Sequence, residues 1–275
     1  MNKVILITGA SSGFGKVIAE KLSKSGNTVY GTSRNPEKYP EPKNYKLLKF
    51  DITSFTESKK LVKKIVSENE RIDVLINNAG IGFTGPIEEI LIKDIKRVFD
   101  TNYFGHIDVI QSVLPIMRKN KSGLIINITS IAGYQGIPFG SIYSASKASM
   151  EYLGEALNME LNKFRIRVVN IAPGDYKTDI IYNRNDTNLS KNSPYYNVYK
   201  ECIKEWSLNM SRSRNPIEVA NLVEKVIKSK NPKIHYIIGP FLQKISVFLK
   251  KILPEKIYQR LLMNSHLYTS DAADE

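Results

Sequence analysis

Tyr143 and Lys147 stand four residues apart in Tyr143-Ser144-Ala145-Ser146-Lys147. On a helix, positions i and i+4 share a face. The Lys147 ammonium then sits beside the Tyr143 phenol and favours its ionised form. Three other Tyr-x-x-x-Lys pairs occur, at 39/43, 45/49 and 196/200. The first encloses Pro40 and Pro42, the second falls on a strand pattern, and the third has no strand-end serine upstream. Only 143/147 opens a long amphipathic pattern thirteen residues after Ser130, which closes the apolar run Leu124–Thr129. Read alone, Ser130 is equally a satisfied buried hydroxyl. Asn102, in Thr101-Asn102-Tyr103-Phe104-Gly105, is equally a hydrogen bond at a helix bend.

A second chemistry lies at the start of the chain. The apolar run Val4-Ile5-Leu6-Ile7 leads into Thr8-Gly9-Ala10-Ser11-Ser12-Gly13-Phe14-Gly15. This strand–glycine turn–helix order suits a dinucleotide pyrophosphate. Gly9 permits the tight turn, Gly13 lets backbone approach phosphate, and Gly15 lets the helix pack on the strand. The free N–H groups and positive dipole end of the helix face the anion. Where an NAD site carries an acidic residue, at the end of the second strand, this chain has Ser33 and Arg34. A hydroxyl and a guanidinium welcome a 2′-phosphate, so NADP(H) is expected over NAD, unless Arg34 is only a solvent-facing cation. Asp51, followed by Ile52, either accepts from an adenine amino group or caps the next turn. In Asn77-Asn78-Ala79-Gly80 the amides tie strand ends together, and Ala79 and Gly80 leave room for a ribose or nicotinamide.

The elements that must position these groups alternate. Strand patterns fall at 3–8, 27–33, 45–50, 72–77, 123–129, 166–172 and 234–238, and helical patterns at 14–25, 56–69, 88–118, 142–163 and 216–229. The alternation predicts a Rossmann-type, doubly wound α/β fold: about seven parallel strands, helices on both faces, ligands beyond the carboxyl ends of the strands. A hydrophobic fraction of 42% supports a substantial core, and no low-complexity linker divides the 275 residues. The lone Cys202 excludes an internal disulfide framework. With a strand pattern starting near Lys3 and no run of about 18 apolar residues, neither a leader nor a spanning helix is expected, and the location expected is cytoplasmic. The net charge of +13 comes from dispersed lysines without a dense basic block, which argues for a solvated surface and against nucleic acid.

Together these residues resemble the short-chain dehydrogenase/reductase family in its compact single-domain branch, over about residues 3–240, with a likeness to its NADP-dependent hydroxysteroid and retinol types. The match rests on Thr8–Gly15, Asp51, Asn77–Gly80, Asn102, Ser130, Tyr143, Lys147, Pro173-Gly174 and Thr178. The resemblance implies an oxidoreductase interconverting an apolar alcohol and its ketone or aldehyde. Tyr143 is then the general acid or base, and Lys147 lowers its pKa and binds the nicotinamide ribose. Ser130 orients the substrate oxygen, and Asn102 holds a relay water. Pro173 and Gly174 shape the nicotinamide pocket, and Thr178 binds the carboxamide. No metal is called for. The resemblance also implies a homodimer or homotetramer built on the helices at 88–118 and 142–163. The competing reading is a non-catalytic NADP-binding sensor of the same fold.

The segment 175–214 breaks the alternation and is expected to form a substrate loop with small helices. Its Tyr176, Tyr182, Tyr195, Tyr196, Tyr199 and Trp206 suit an apolar substrate, or else pack the loop onto the body. Residues 241–266 read as amphipathic helices split at Pro254, serving as a lid, a subunit contact or a peripheral membrane contact through 241–262. Residues 267–275 are expected to be a non-native tail.

Overall fold

The computed structural model describes residues 2–178, 185–211 and 213–266. Its main sheet contains strands β1 (Val4–Ile7), β2 (Thr28–Ser33), β3 (Lys46–Lys49), β4 (Val74–Asn77), β6 (Gly123–Ile128), β7 (Ile166–Pro173) and β9 (His235–Ile238). All pairs are parallel, in the order β3-β2-β1-β4-β6-β7-β9. The chain therefore reverses direction across the sheet between β1 and β4, the switch point at which such sheets open a crevice.

Successive strand residues face opposite layers. Ile5 and Ile7 pack with α1 (Gly13–Lys24) and α7 (Ile217–Lys228) through Ile18, Leu22, Val219 and Val223. Val4 and Leu6 pack with α2 (Ser58–Asn69) and α4 (Gly105–Lys119) through Leu61, Ile65, Val109 and Val113. Helix α5 (Ser141–Glu160) covers the second layer beside them through Leu153 and Leu157.

Three features depart from the sequence pattern. The helix expected over 88–118 begins as α3 (Ile92–Phe99), passes through a π-helical turn at Asp100–Phe104 and continues as α4. Tertiary contact sets this break: Asn102 is drawn to the backbone of Ile81, and Gly105 lies against the carbonyl of Ile52, where a Cβ would come within 2.4 Å. A second sheet pairs two-residue strands, β5 (Phe83–Thr84) with β8 (Asn185–Asp186). The small helices expected in 175–214 are replaced by α6 (Tyr196–Ser211), sixteen residues long. Beyond the sheet lie α8 (Phe241–Ile252) and α9 (Glu255–His266), separated at Pro254 as expected. The tail 267–275 and Tyr182 lie outside the described residues.

Candidate active site

One cavity of about 610 Å³ opens at the carboxyl ends of β1, β2 and β4. Gly9, Ser11, Ser12, Gly13 and Phe14 form one wall. Gly9 has φ +68°, and a Cβ there would lie 2.9 Å from the Ala79 Cα. Gly15 does not line the cavity. It lies behind the turn, where a Cβ would meet the Gly9 carbonyl oxygen at 2.1 Å. Asn78 fixes the turn by donating to the carbonyls of Gly9 (2.8 Å) and Thr8 (3.0 Å). The Thr8 hydroxyl accepts in return from the N–H groups of Asn78 (2.9 Å) and Ala79 (3.1 Å). Among the described residues no side chain caps the amino end of α1, and its first turn carries no acidic residue, so its N–H groups stay available to an anion.

Ser33 and Arg34 line the cavity at the end of β2, and Arg34 is exposed. Asn35 and Lys38 line it beside them, so a second cation joins Arg34. Ser33 already accepts a hydrogen bond from the Asn35 N–H at 3.3 Å. Asp51 and Ile52 lie on the far wall. Asp51 Oδ1 caps its turn, accepting from Thr53 N (3.0 Å) and Thr53 Oγ1 (2.8 Å). Ala79, Gly80 and Thr178 complete the lining towards Tyr143 and Lys147.

Lys147 is buried in α5, where its Nζ donates to the Ile128 carbonyl at 3.1 Å and lies 5.8 Å from the centre of the Tyr143 ring. Burial pushes the ammonium down to about 8, against which the Glu151 carboxylate holds it up. Ser130 caps a short turn at Ile131–Gly133, its Oγ accepting from Ala132 N at 3.2 Å. That turn lies on the α5 backbone: a Cβ on Gly133 would approach the Lys147 carbonyl carbon at 3.0 Å. Ser130 is thereby carried to the Tyr143–Lys147 helix, although it does not line the cavity.

Asn102 is fully buried in the π-helical turn. Its Oδ1 accepts from Ile81 N (2.8 Å), and its Nδ2 reaches Ile81 O and Ser146 Oγ (3.0 Å each). The carboxamide is thus committed to protein partners, as expected for the helix-bend reading. Pro173 and Gly174 lie outside the cavity lining. Gly174 sits under Gln243 of α8, where a Cβ would meet Oε1 at 2.2 Å.

Two residues that the sequence reading passed over stand behind this site. Glu151, one turn after Lys147, is buried, and its Oε2 accepts from Tyr134 OH (2.9 Å) and Asn170 Nδ2 (2.9 Å) and meets His235 Nδ1 at 3.0 Å. Thr129 donates to its other oxygen. His106 Nε2 donates to the Ala79 carbonyl at 2.7 Å, leaving buried Nδ1 without a partner among the described residues. Burial, and then the Lys147 charge, push this imidazole down to about 3, so it is neutral. The Glu151 position was readable from its i+4 spacing to Lys147; that of His106 was not.

Of the two roles open to the aromatic residues of 175–214, Tyr176 and Tyr199 take the packing one. Tyr176 is buried edge-on against Phe14 and donates to Glu218 at 3.2 Å. Tyr199 is buried against Phe139 and shares a hydrogen bond with Thr84 Oγ1 at 2.9 Å. Both pack the segment onto the body. Tyr195 donates to Glu88 at 2.7 Å, and the Lys200 ammonium lies 5.7 Å from the centre of the Tyr196 ring. Trp206 lies where a Cβ on Gly140 would come within 3.3 Å of its ring.

The short chain dehydrogenase family profile matches residues 3–189. The 3-ketodihydrosphingosine reductase of Bacteroides thetaiotaomicron is 38% identical over 261 residues, covering 94% of this chain and 96% of that enzyme. The NADPH-dependent 3-dehydrocapnine reductase of Ornithobacterium rhinotracheale is 32% identical, covering 86% and 87%. A short-chain dehydrogenase structure from Streptomyces avermitilis superposes with a TM-score of 0.77 at 28% identity, covering 94% of this chain and 98% of that one.

Proposed function

The chain belongs to the short-chain dehydrogenase family of oxidoreductases, and on that premise we propose that it is an NADPH-dependent reductase of a ketone carried on a long apolar chain. The observation that carries this reading is a single cavity lined both by Arg34 and Lys38 and by Tyr143 and Lys147. Its glycine wall leaves backbone clear for a pyrophosphate, and its two cations suit a 2′-phosphate. Asp51, through its second carboxylate oxygen, is assigned to the adenine. Pro173, Gly174 and Thr178 are assigned to the nicotinamide end. NADPH, when bound, supplies the hydride that adds to the carbonyl carbon.

The chain's own residues handle the proton. Tyr143 gives its phenolic proton to the carbonyl oxygen as charge develops there, completing the alcohol. A free phenol, with a pKa of about 10, is a poor proton donor and acceptor near neutrality. The adjacent Lys147 charge favours the phenolate left behind. Ser130 orients the substrate oxygen. Since the Asn102 carboxamide is committed, a relay water falls to the main-chain carbonyls of the π-helical turn, where the helical ladder is interrupted.

The substrate class rests on the names of the two relatives, both reductases of 3-oxo compounds. It rests also on the amphipathic helix α8, which lies beside the Ser130 turn and over Gly174 and in turn contacts α9. Tyr143 and Lys147 are both intact, which weighs against a non-catalytic sensor. A homodimer or homotetramer is proposed through the exposed Phe104, Tyr152 and Met159 of the π-helical turn and α5.

The test is NADPH oxidation against 3-ketones of increasing chain length, beside Tyr143→Phe. Turnover that rises with chain length and falls by about 10²–10⁴ in the variant is the expected result. Equal turnover by the variant would overturn the assignment of Tyr143.

A further inference from the structure

Helices α8 and α9 have two unlike faces. The inner face is anchored by buried Val247 and Tyr258. Tyr258 OH and Ser246 Oγ both donate to Gln135, just beyond the Ser130 turn. Gln243 accepts from Asp175 N at 2.9 Å over Gly174. The pair therefore forms the rim of the substrate side of the site.

The outer face is apolar and, among the described residues, uncovered. Phe241 is 70% exposed, Leu242 78%, Phe248 61% and Ile252 59%, far above the levels of core side chains. At about 100° per residue, Phe248, Phe241, Ile252, Ile245, Leu249 and Leu242 follow one another within roughly a third of the α8 circumference. Ile257 and Leu261 extend an exposed apolar stripe on α9. The cations follow this face. Lys244 and Lys251 lie along its edge on α8, with Lys250 further round, and Lys256 and Arg260 flank the α9 stripe. Against these five stands one carboxylate, Glu255.

We propose that this face docks on an anionic lipid surface, which holds the rim of the substrate site at the membrane. Lysine-flanked apolar helices bind such surfaces by burying their apolar face among acyl chains while the cations meet lipid phosphates. The choice of lipid over a second copy of the chain rests partly on the proposed long-chain substrate, which partitions into the same phase. It rests also on charge: two copies of this face would bring like-charged rims together.

The experiment is co-sedimentation of the full chain with phosphatidylcholine vesicles, with and without phosphatidylglycerol. Binding is expected only with the anionic lipid and is expected to weaken with salt. The paired substitution Phe241→Ser/Phe248→Ser should lower partitioning about tenfold or more. Lys244→Glu/Lys251→Glu should lower it roughly thirtyfold. Turnover of a short, water-soluble ketone should stay unchanged in both. A wild-type chain that stays in solution with anionic vesicles at low salt would overturn the proposal. So would variants that bind like wild type, or a phenylalanine pair that instead converts an oligomer to a monomer by light scattering. Binding is read without cofactor or substrate, so absence of turnover would count against the reductase reading alone.

Discussion

The two sides of the catalytic groups are built by different means. On the side of β1, β2 and β4, the wall is backbone held by polar side chains: buried Thr8 and half-buried Asn78 close the glycine turn, and Gly15 admits no side chain at all. On the side of α6, α8 and α9, the wall is helix surface tied down by scattered side-chain bonds, such as Tyr195, just before α6, to Glu88, and Ser246 and Tyr258 to Gln135. A dinucleotide presents the same pyrophosphate whatever the substrate, so the first wall is specified atom by atom. The second wall need only enclose, and its parts are exchangeable.

The largest effect should come where the two sides meet. Lys147→Met should lower NADPH turnover by about 10²–10⁴. It should also change the pH dependence of stability. Folded Lys147 titrates at about 8 against 10.5 unfolded, so between those values the unfolded chain holds more protons and stability rises with pH. The burial cost is present below about pH 8 and is relieved above it. Melting temperatures of wild type and variant should therefore converge in that window; parallel curves would show that Lys147 is not buried as a charge. Glu151→Gln should cost about 3 kcal/mol by breaking a buried network and should move the Lys147 titration lower. Unchanged urea unfolding would remove Glu151 from the junction.

On the cofactor side, Arg34→Asp should shift preference from NADPH towards NADH by about tenfold to a hundredfold. Lys38→Glu should add to the shift. An unmoved preference ratio would break the claim that this wall is specific. On the substrate side, Tyr195→Phe removes one exposed bond to Glu88 and should change stability by no more than about 0.5 kcal/mol. A loss of 2 kcal/mol or more in calorimetry would erase the contrast between the walls.

The same contrast governs what the sequence reveals. Six of the seven main strands lie within the predicted runs and β7 exceeds its run by one residue, Pro173, because the central strands, buried on both faces, read as continuous apolar stretches. Tyr143, Lys147 and most of the cofactor residues come together in one cavity, since strand-end motifs carry their own local geometry. The π-helical turn was illegible: it arises from Asn102 meeting Ile81 and Gly105 meeting Ile52, contacts distant in the chain. Strands β5 and β8, two residues each, are too short to show a period. For Tyr176 and Tyr199 composition leaves substrate contact and packing both open, and only their burial against Phe14 and Phe139 separates packing from recognition. Lys38 carried a weak signal, a cation just past Arg34 among many solvated lysines.

Asn77, Asn127 and Asn170 occupy one register row across β4, β6 and β7, and His235 continues it on β9. Asn77 donates to Asn127, Asn127 to Asn170, each at 2.9 Å, and Asn170 donates to Glu151. A slip of one residue at any of these strands would strand amides against aliphatic side chains. The row therefore acts as an internal proof of alignment between segments made far apart during synthesis. It also constrains descent: replacing one asparagine with leucine leaves its neighbours unsatisfied. Such a lineage must exchange the row as a set or keep it whole.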